Sequence, residues 1–347
     1  MQIDLRRYFS SFEIFIMLLS GFRRRFLEFF YQLFRKAIVR QINSTSNRNI
    51  DNQTFIKKIQ SVLALQENIK TDNIVSESII TSADKAVHGI FEILGSGEVR
   101  LNPIDWHSDF KTGFRWPPGR FFRKYHQEGI DSHSDVKVPR ELSRCHHLLK
   151  LGLAYKLTNK KEYAETCIEQ MNDWIDENPL MYSINWGCTM DVAIRSVNWI
   201  WTLGLISDSD VLNRNSLEKI KLSLYQHGWF LWRNPEKELF YSSNHYLSDL
   251  AGQIHLGLLF CDLEEPRKWL ERGKHELFRE IRLQILPSGM SYERSTNYNR
   301  LVLELILVPV LLLRYNGHEI PSDIWYRLEK MFEFIMYTLK PDGTSPI

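Results

Sequence analysis

Two short stretches hold the residue types that could move a proton beside an anion. In "YSSNHYLSDLAGQ", Asn244 and His245 open an apolar segment. In "PSGMSYERSTNYNR", Glu293, Ser295 and Tyr298 precede a very apolar one, Leu301 to Leu313. An amide or a charged imidazole can bind and neutralise a carboxylate. A phenol can trade a proton if a nearby cation lowers its pKa from about 10. From spacing alone, Asn244 also reads as a helix cap and Tyr298 as a core anchor.

A third stretch, "NWGCTMDVAIRSVNW", places Asp191, Arg195 and Asn198 at i, i+4 and i+7, on one helix face. The stripe fits a buried Asp191–Arg195 salt bridge or a cleft wall that presents a carboxylate. Asn185 and Trp186 stand just ahead of it as candidate substrate contacts. A fourth stretch, Trp106 to Trp116 with Arg115, lies in a loop dense in rings, "NPIDWHSDFKTGFRWPPGRFFRKY". Its rings, Trp116 among them, could stack on sugar faces while Arg115 pairs with an anion, or they could pack on the body of the protein. Adjacent His146 and His147 point about 100° apart on a helix and do not easily share one metal. The cysteines Cys145, Cys167, Cys188 and Cys261 are single, so neither a zinc pattern nor a disulfide framework is expected. No phosphate loop, dinucleotide loop, HExxH or nucleophile elbow occurs, and no metal or cofactor is expected.

The elements that must carry these residues are helical. After Pro139 an apolar period near 3.6 runs almost to the end, with segments near 140–158, 161–176, 188–205, 215–232, 245–260, 265–285, 298–315 and 322–339. No period-two alternation of β-branched residues appears. Helices of similar length joined by short loops must pair antiparallel to bury their stripes. An all-α body from about residue 76 follows, with a closed toroid and an open solenoid both compatible with the pattern. Residues 1–75 read as a basic helical arm and a linker with one helix. The stretch Arg23 to Arg40 is a basic amphipathic helix, expected to pack on protein rather than lie on a membrane. The 347 residues carry a net charge of +2, which argues against a general nucleic-acid binder.

Five stretches, "DWHSDFKTGFRW", "ELSRCHHLLKLGLAY", "NWGCTMDVAIRSVNW", "SNHYLSDLAG" and "SGMSYERSTNY", occur in an order that resembles the heparinase II/III-like polysaccharide lyases over about residues 90–347. The resemblance implies an incomplete (α/α) toroid followed by a β-sandwich domain that supplies a catalytic His. The sequence stops at "KPDGTSPI", where that domain would begin. The resemblance also implies β-elimination on a uronate-containing polysaccharide. A base takes the C5 proton, the C4–O bond breaks, and an acid protonates the leaving oxygen. Asn244 matches the position that neutralises the uronate carboxylate and Tyr298 the acid/base. His245 could replace Asn244 in that role. Arg195 is a candidate for lowering the Tyr298 pKa or clamping the carboxylate, and Glu293 for orienting the site.

The expected partner is an acidic polysaccharide, and such a substrate favours a periplasmic or cell-envelope location. The alternative is a non-catalytic carbohydrate-binding toroid, and a weaker one is a hydrolase, for which no convincing carboxylate pair is visible. Asn244, His245, Tyr298 and Arg195 are expected to face one cleft walled by Trp186 or the 106–116 loop. Lacking the sandwich, the chain is expected to bind acidic oligosaccharide weakly and to eliminate little.

Overall fold

Local caps set where the helices begin. α1 (Asn52–Val62) starts at Asp51, whose carboxylate accepts the N–H groups of Gln53 and Thr54. α2 (Asn73–Val87) starts at Asp72 in the same way, onto Val75. The structure, a computed structural model, describes residues 36, 39, 40, 42, 51–64, 66, 72–125, 133–238, 242–342 and 344. Residues 1–48 form one compact unit and 49–347 another, so α1 and α2 share a unit with everything that follows. The expected basic helix from Arg23 to Arg40 lies outside the described residues except for 36, 39 and 40, which are helical.

Two three-residue strands, β1 (Ile90–Glu92) and β2 (Glu98–Arg100), pair antiparallel around Leu94, Gly95 and Gly97, all at positive φ. They depart from the all-helical expectation only locally. The ring-rich loop that follows packs inward: Trp106 and Trp116 are fully buried, with Phe121, Phe122 and Tyr125 beside them in the core. Tyr125 hydroxyl donates to the Pro117 carbonyl at 2.6 Å, and Trp106 Nε1 donates to Asp173 at 2.7 Å.

The segment after Pro139 is two helices, not one. α3 (Lys137–Ser143) ends at Arg144, and α4 (His146–Thr158) begins after Cys145, which sits at φ 60°. A left-handed residue cannot continue an α-helix, so the axis turns there. The remaining helices are α5 (Lys161–Glu177), α6 (Thr189–Leu205), α7 (Arg214–Arg233), α8 (Asn244–Leu259), α9 (Glu264–Gln284), α10 (Thr296–Tyr315) and α11 (Ser322–Thr338).

These helices make two layers. α4, α6, α8 and α10 lie side by side as an inner layer, each touching the next. Outside them α5, α7, α9 and α11 alternate, also in contact in order. Each inner helix returns through an outer one, so the inner helices run the same way and start at the same rim. The arc does not close: it is an incomplete (α/α) toroid of antiparallel pairs. α1 packs against α6, α7 and α8, and α2 against α4. Gly252 lets α8 approach α6, since a Cβ there would meet Ala193 Cα at 3.1 Å. Trp174, Trp199 and Trp269 are fully buried in the core, each contributing about 1.5–3 kcal/mol or more through the area removed from water.

Candidate functional site

The common rim gathers the starts of α6, α8 and α10 around a cleft of about 440 Å³. Its walls include Asn244 and His245 from α8, Tyr298 and Leu301 from α10, and Cys188, Met190 and Asp191 from the start of α6. Lys137, Arg140, Glu141 and Arg144 complete it from α3. Helix N-termini carry partial positive charge, and two of these three already hold a carboxylate of the chain, Glu236 at α6 and Glu293 at α8.

α8 begins with Ser243 as its cap, which puts Asn244 and His245 in the first turn. Glu293 takes hold of Asn244 from the loop before α10. Asn244 Nδ2 lies 3.0 Å from both Glu293 oxygens, and its backbone N–H donates to Oε1 at 3.0 Å. Because a carboxylate only accepts, the amide is fixed with its NH₂ toward Glu293. Glu293 therefore fixes the Asn244 side chain. The loop that carries it is tied down at Tyr292, whose hydroxyl donates to the Ser242 carbonyl at 2.8 Å, and at Ser291, whose N–H donates to Asn299 at 2.6 Å. Gly289, at φ 82°, has no room for a Cβ, which would fall 1.9 Å from the Lys330 carbonyl oxygen on α11. Ser295 caps α10 and sets Tyr298 one turn in, 47% exposed in the cleft wall.

His245 lies against Glu236, Nδ1 to Oε2 at 2.8 Å. That hydrogen bond raises the His245 pKa above its ordinary value against the opposing effect of burial. Burial pushes Glu236 up, but His245 and the backbone N–H groups of Thr189 and Met190 bring it net below the usual carboxylate value. Arg144 Nε donates to Asp191 at 2.7 Å, and its other arm reaches Glu141 at 2.8 Å. Burial lowers the Arg144 pKa, yet Asp191 and Glu141 raise it overall. Cys188, Glu236 and His245 each have one donor atom within 4.8 Å of the others, close enough to share a cation. Sequence reasoning expects no metal.

Three of the four residues expected to converge do so: Asn244, His245 and Tyr298 line one cleft. Arg195 is the exception. It is fully buried, stacked 3.9 Å over Trp174, with Nε donating to His227 at 2.9 Å. Its Nη1 donates to Ser143 Oγ at 3.1 Å. Arg195 therefore neither clamps a substrate carboxylate nor faces Tyr298. It does not pair with Asp191 either, whose partner is Arg144. Asn185 is fully buried, its amide donating to the Trp106 carbonyl at 2.8 Å and to Asn178 at 2.9 Å. Trp186 is buried against His227 and Phe230, and Trp116 against Phe114. None of these rings offers a sugar platform. Arg115 pairs with Asp105 at 2.9 Å instead of awaiting an anion. Asp249 is fully buried, and burial and the Glu236 charge push it well above the carboxylate range, so it flanks no bond as a hydrolase would need.

The cations that line the cleft are Lys137, Arg140 and Arg144; the sequence offers Arg140 and Arg144 as a charged helix start and gives Lys137 no role. Their spacing, i, i+3 and i+7, puts them on one helix face and was the available signal. Glu236, in the loop after α7, carries no periodic signal at all.

A family model described as heparinase II/III N-terminus matches residues 28–347. Two curated relatives named heparin-sulfate lyase, from Pedobacter heparinus and Bacteroides thetaiotaomicron, are 24% and 22% identical over 220 and 209 residues. The alignments cover 61% and 58% of this chain but 33% and 29% of the relatives, so the chain spans about a third of their length. Among solved structures, a heparan sulfate lyase from Pedobacter heparinus superposes with a TM-score of 0.57 at 20% identity, over 90% of this chain and 45% of that one. A structure described as heparinase III gives 0.59 at 17% identity, over 90% and 45%. These likenesses carry the toroid.

Proposed function

Since the chain belongs to the heparinase II/III family, we propose that it acts in β-elimination on a uronate-containing, glycosaminoglycan-like polysaccharide. The toroid over about residues 76–347 would carry this part of the site, with 1–75 as an arm and linker. The observation that supports the reading is that Asn244, His245 and Tyr298 meet in one cleft whose far wall is Lys137, Arg140 and Arg144. Spacing alone does not require that meeting.

The chemistry sets the roles. A uronate carboxylate must be neutralised before C5 can release a proton, because it cannot take more negative charge. His245 and the one Asn244 amide hydrogen not turned to Glu293, at the start of α8, are the donors for that carboxylate. The C5 proton passes to a base, the electron pair forms C4=C5, and the C4–O bond breaks with a proton delivered to the leaving oxygen. Tyr298 is the group on the cleft wall suited to that proton traffic. Lys137 and Arg140 on the α3 wall bind the other acidic groups of the polymer, while Arg144 is held by Asp191 and Glu141.

The test is ultraviolet absorbance of the unsaturated uronate on a panel of heparan sulfate, heparin, hyaluronan, chondroitin sulfate and alginate. The chain alone should give a small rise on at least one, larger when a β-sandwich domain of the family is added, and Tyr298→Phe should remove most of it. Binding to one of these polymers with no absorbance rise, even with a β-sandwich domain of the family added, would favour a carbohydrate-binding module and sink the lyase reading.

A further inference from the structure

Glu236 is gripped from several sides by helix starts. Its Oε1 accepts the backbone N–H of Thr189 at 3.2 Å and its Oε2 that of Met190 at 3.1 Å, both in the first turn of α6. The same Oε2 faces His245 Nδ1 at 2.8 Å. Its own N–H donates to Asp249 Oδ2 at 2.7 Å. His245 and Asp249 are one helical turn apart on α8, so one face of α8 holds residue 236 by both backbone and side chain. Capping α6 needs only an oxygen, which Ser, Thr, Asn or Asp would supply. The imidazole contact is therefore what a glutamate at this position adds.

With Nδ1 spent on Glu236, Nε2 is the ring nitrogen left for the cleft, beside Asn244. We propose that Glu236 is the positioning residue of this site, holding the His245 ring so that its Nε2–H meets the uronate carboxylate. This rests on reading the cleft as a uronate site. A ring held this way donates at both nitrogens while charged; once neutral, its one proton stays on Nδ1 against Glu236 and Nε2 presents a lone pair.

The surroundings are consistent with a charged ring. The Glu236 hydrogen bond is the largest influence and raises the His245 pKa, while burial opposes it. Asp191 at the start of α6 adds to the rise, and Arg144 after α3 works against it. Cys188 lies 3.9 Å from Nδ1, and Tyr298 on α10 shares the cleft. Lys137, Arg140 and Glu141 stand on the α3 wall of the same cleft.

Imidazole NMR titration of the full chain, with His245 assigned through His245→Gln, tests this without substrate or turnover. His245 should titrate above 6.5, and Glu236→Gln should lower its midpoint by about one unit or more. Glu236→Asp, which keeps the charge one methylene short, should recover part of the shift. Binding of a heparan sulfate tetrasaccharide at pH 7 should weaken about tenfold in Glu236→Gln, and its loss with rising pH should begin earlier. Gln can still accept from Thr189 or Met190, so the fold should survive. If it does not, the wild-type Nδ1 proton decides, since a hydrogen-bonded imidazolium gives a slowly exchanging, downfield resonance and an unpaired ring does not. An unchanged His245 midpoint in Glu236→Gln overturns the proposal. So does a wild-type titration abolished by equimolar zinc, which would make Cys188, Glu236 and His245 a metal site instead. Absence of elimination on every polymer sinks the lyase reading, while the titration still decides the part played by Glu236.

Discussion

Asp191 and Arg195 stand one turn apart on α6 and end in opposite worlds. Asp191 faces the cleft and pairs with Arg144, a second charged group at its edge. Arg195 points into a sealed cage of Trp174, Trp186 and His227. The cage holds a cation with no carboxylate beside it. Ring faces and the Ser143 and Asn185 oxygens do the work instead. Burial pulls the Arg195 pKa down to about 10, which still leaves it charged at neutral pH. Burial, and then the neighbouring cation, hold His227 well below the ordinary histidine value, so it accepts from Arg195 as a neutral ring. The lesson is that helical spacing selects a face, and the wall between a working cleft and a structural core is only one turn thick.

The contrast predicts that cleft variants cost rate and cage variants cost stability. The largest effect belongs to Tyr298→Phe, which should lower the elimination rate on the best polymer about 10²–10⁴-fold. Its denaturation midpoint should stay put, because the side chain is 47% exposed. Arg195→Ala should do the reverse and cost about 3–5 kcal/mol in urea unfolding, by opening a void and stranding buried oxygens. A loss under about 1 kcal/mol would mean the cage relaxes freely and the contrast is false.

Acid should separate the two regions next. Burial holds His147 and His255 at about 4, against 6.5 unfolded. Between those values the unfolded chain binds more protons, so stability falls as pH drops through that window. Unfolding at pH 4.5 rather than 7 should show a loss of roughly 2 kcal/mol for each of the two rings. His147→Gln should remove part of it. His245 runs the other way: its folded pKa is raised, so its pairing with Glu236 stabilises below the unfolded value and fades as pH climbs past the folded one. The smallest effect is expected at the surface pair of Arg115 and Asp105, where Arg115→Ala should change stability by about 1 kcal/mol or less.

Much of this architecture is legible without coordinates. The helices from α5 to α11 fall within a residue or two of their expected ends, because each is long and strongly periodic and several start at plain cap residues, Asn213, Ser243 and Ser295. The turn at Cys145 is not legible, since a left-handed cysteine leaves no compositional mark. Neither is β1–β2, which is too short to alternate. Asn244, His245 and Tyr298 come from the motifs, and their meeting follows from inner helices that all start at one rim. The rings of the 102–125 loop mislead, because aromatic density describes a core plug as well as a sugar platform. Glu236 is invisible because its importance lies in three contacts from the starts of two other helices, α6 and α8.

Gly289 gives the outer layer a say in what happens at the rim. Its missing Cβ is what allows the loop to lie flat on the Lys330–Met331 peptide of α11. Four residues further on, the same loop delivers Glu293 to the Asn244 amide. A single added methyl at 289 would have to lift the loop or push the helix, and the displacement would travel along a short, stiff arm to the Asn244 amide in the cleft wall. Behind the site's chemistry stands a clearance fit, set by volume and carrying no charge, and a survey of polar residues in the cleft would never list it.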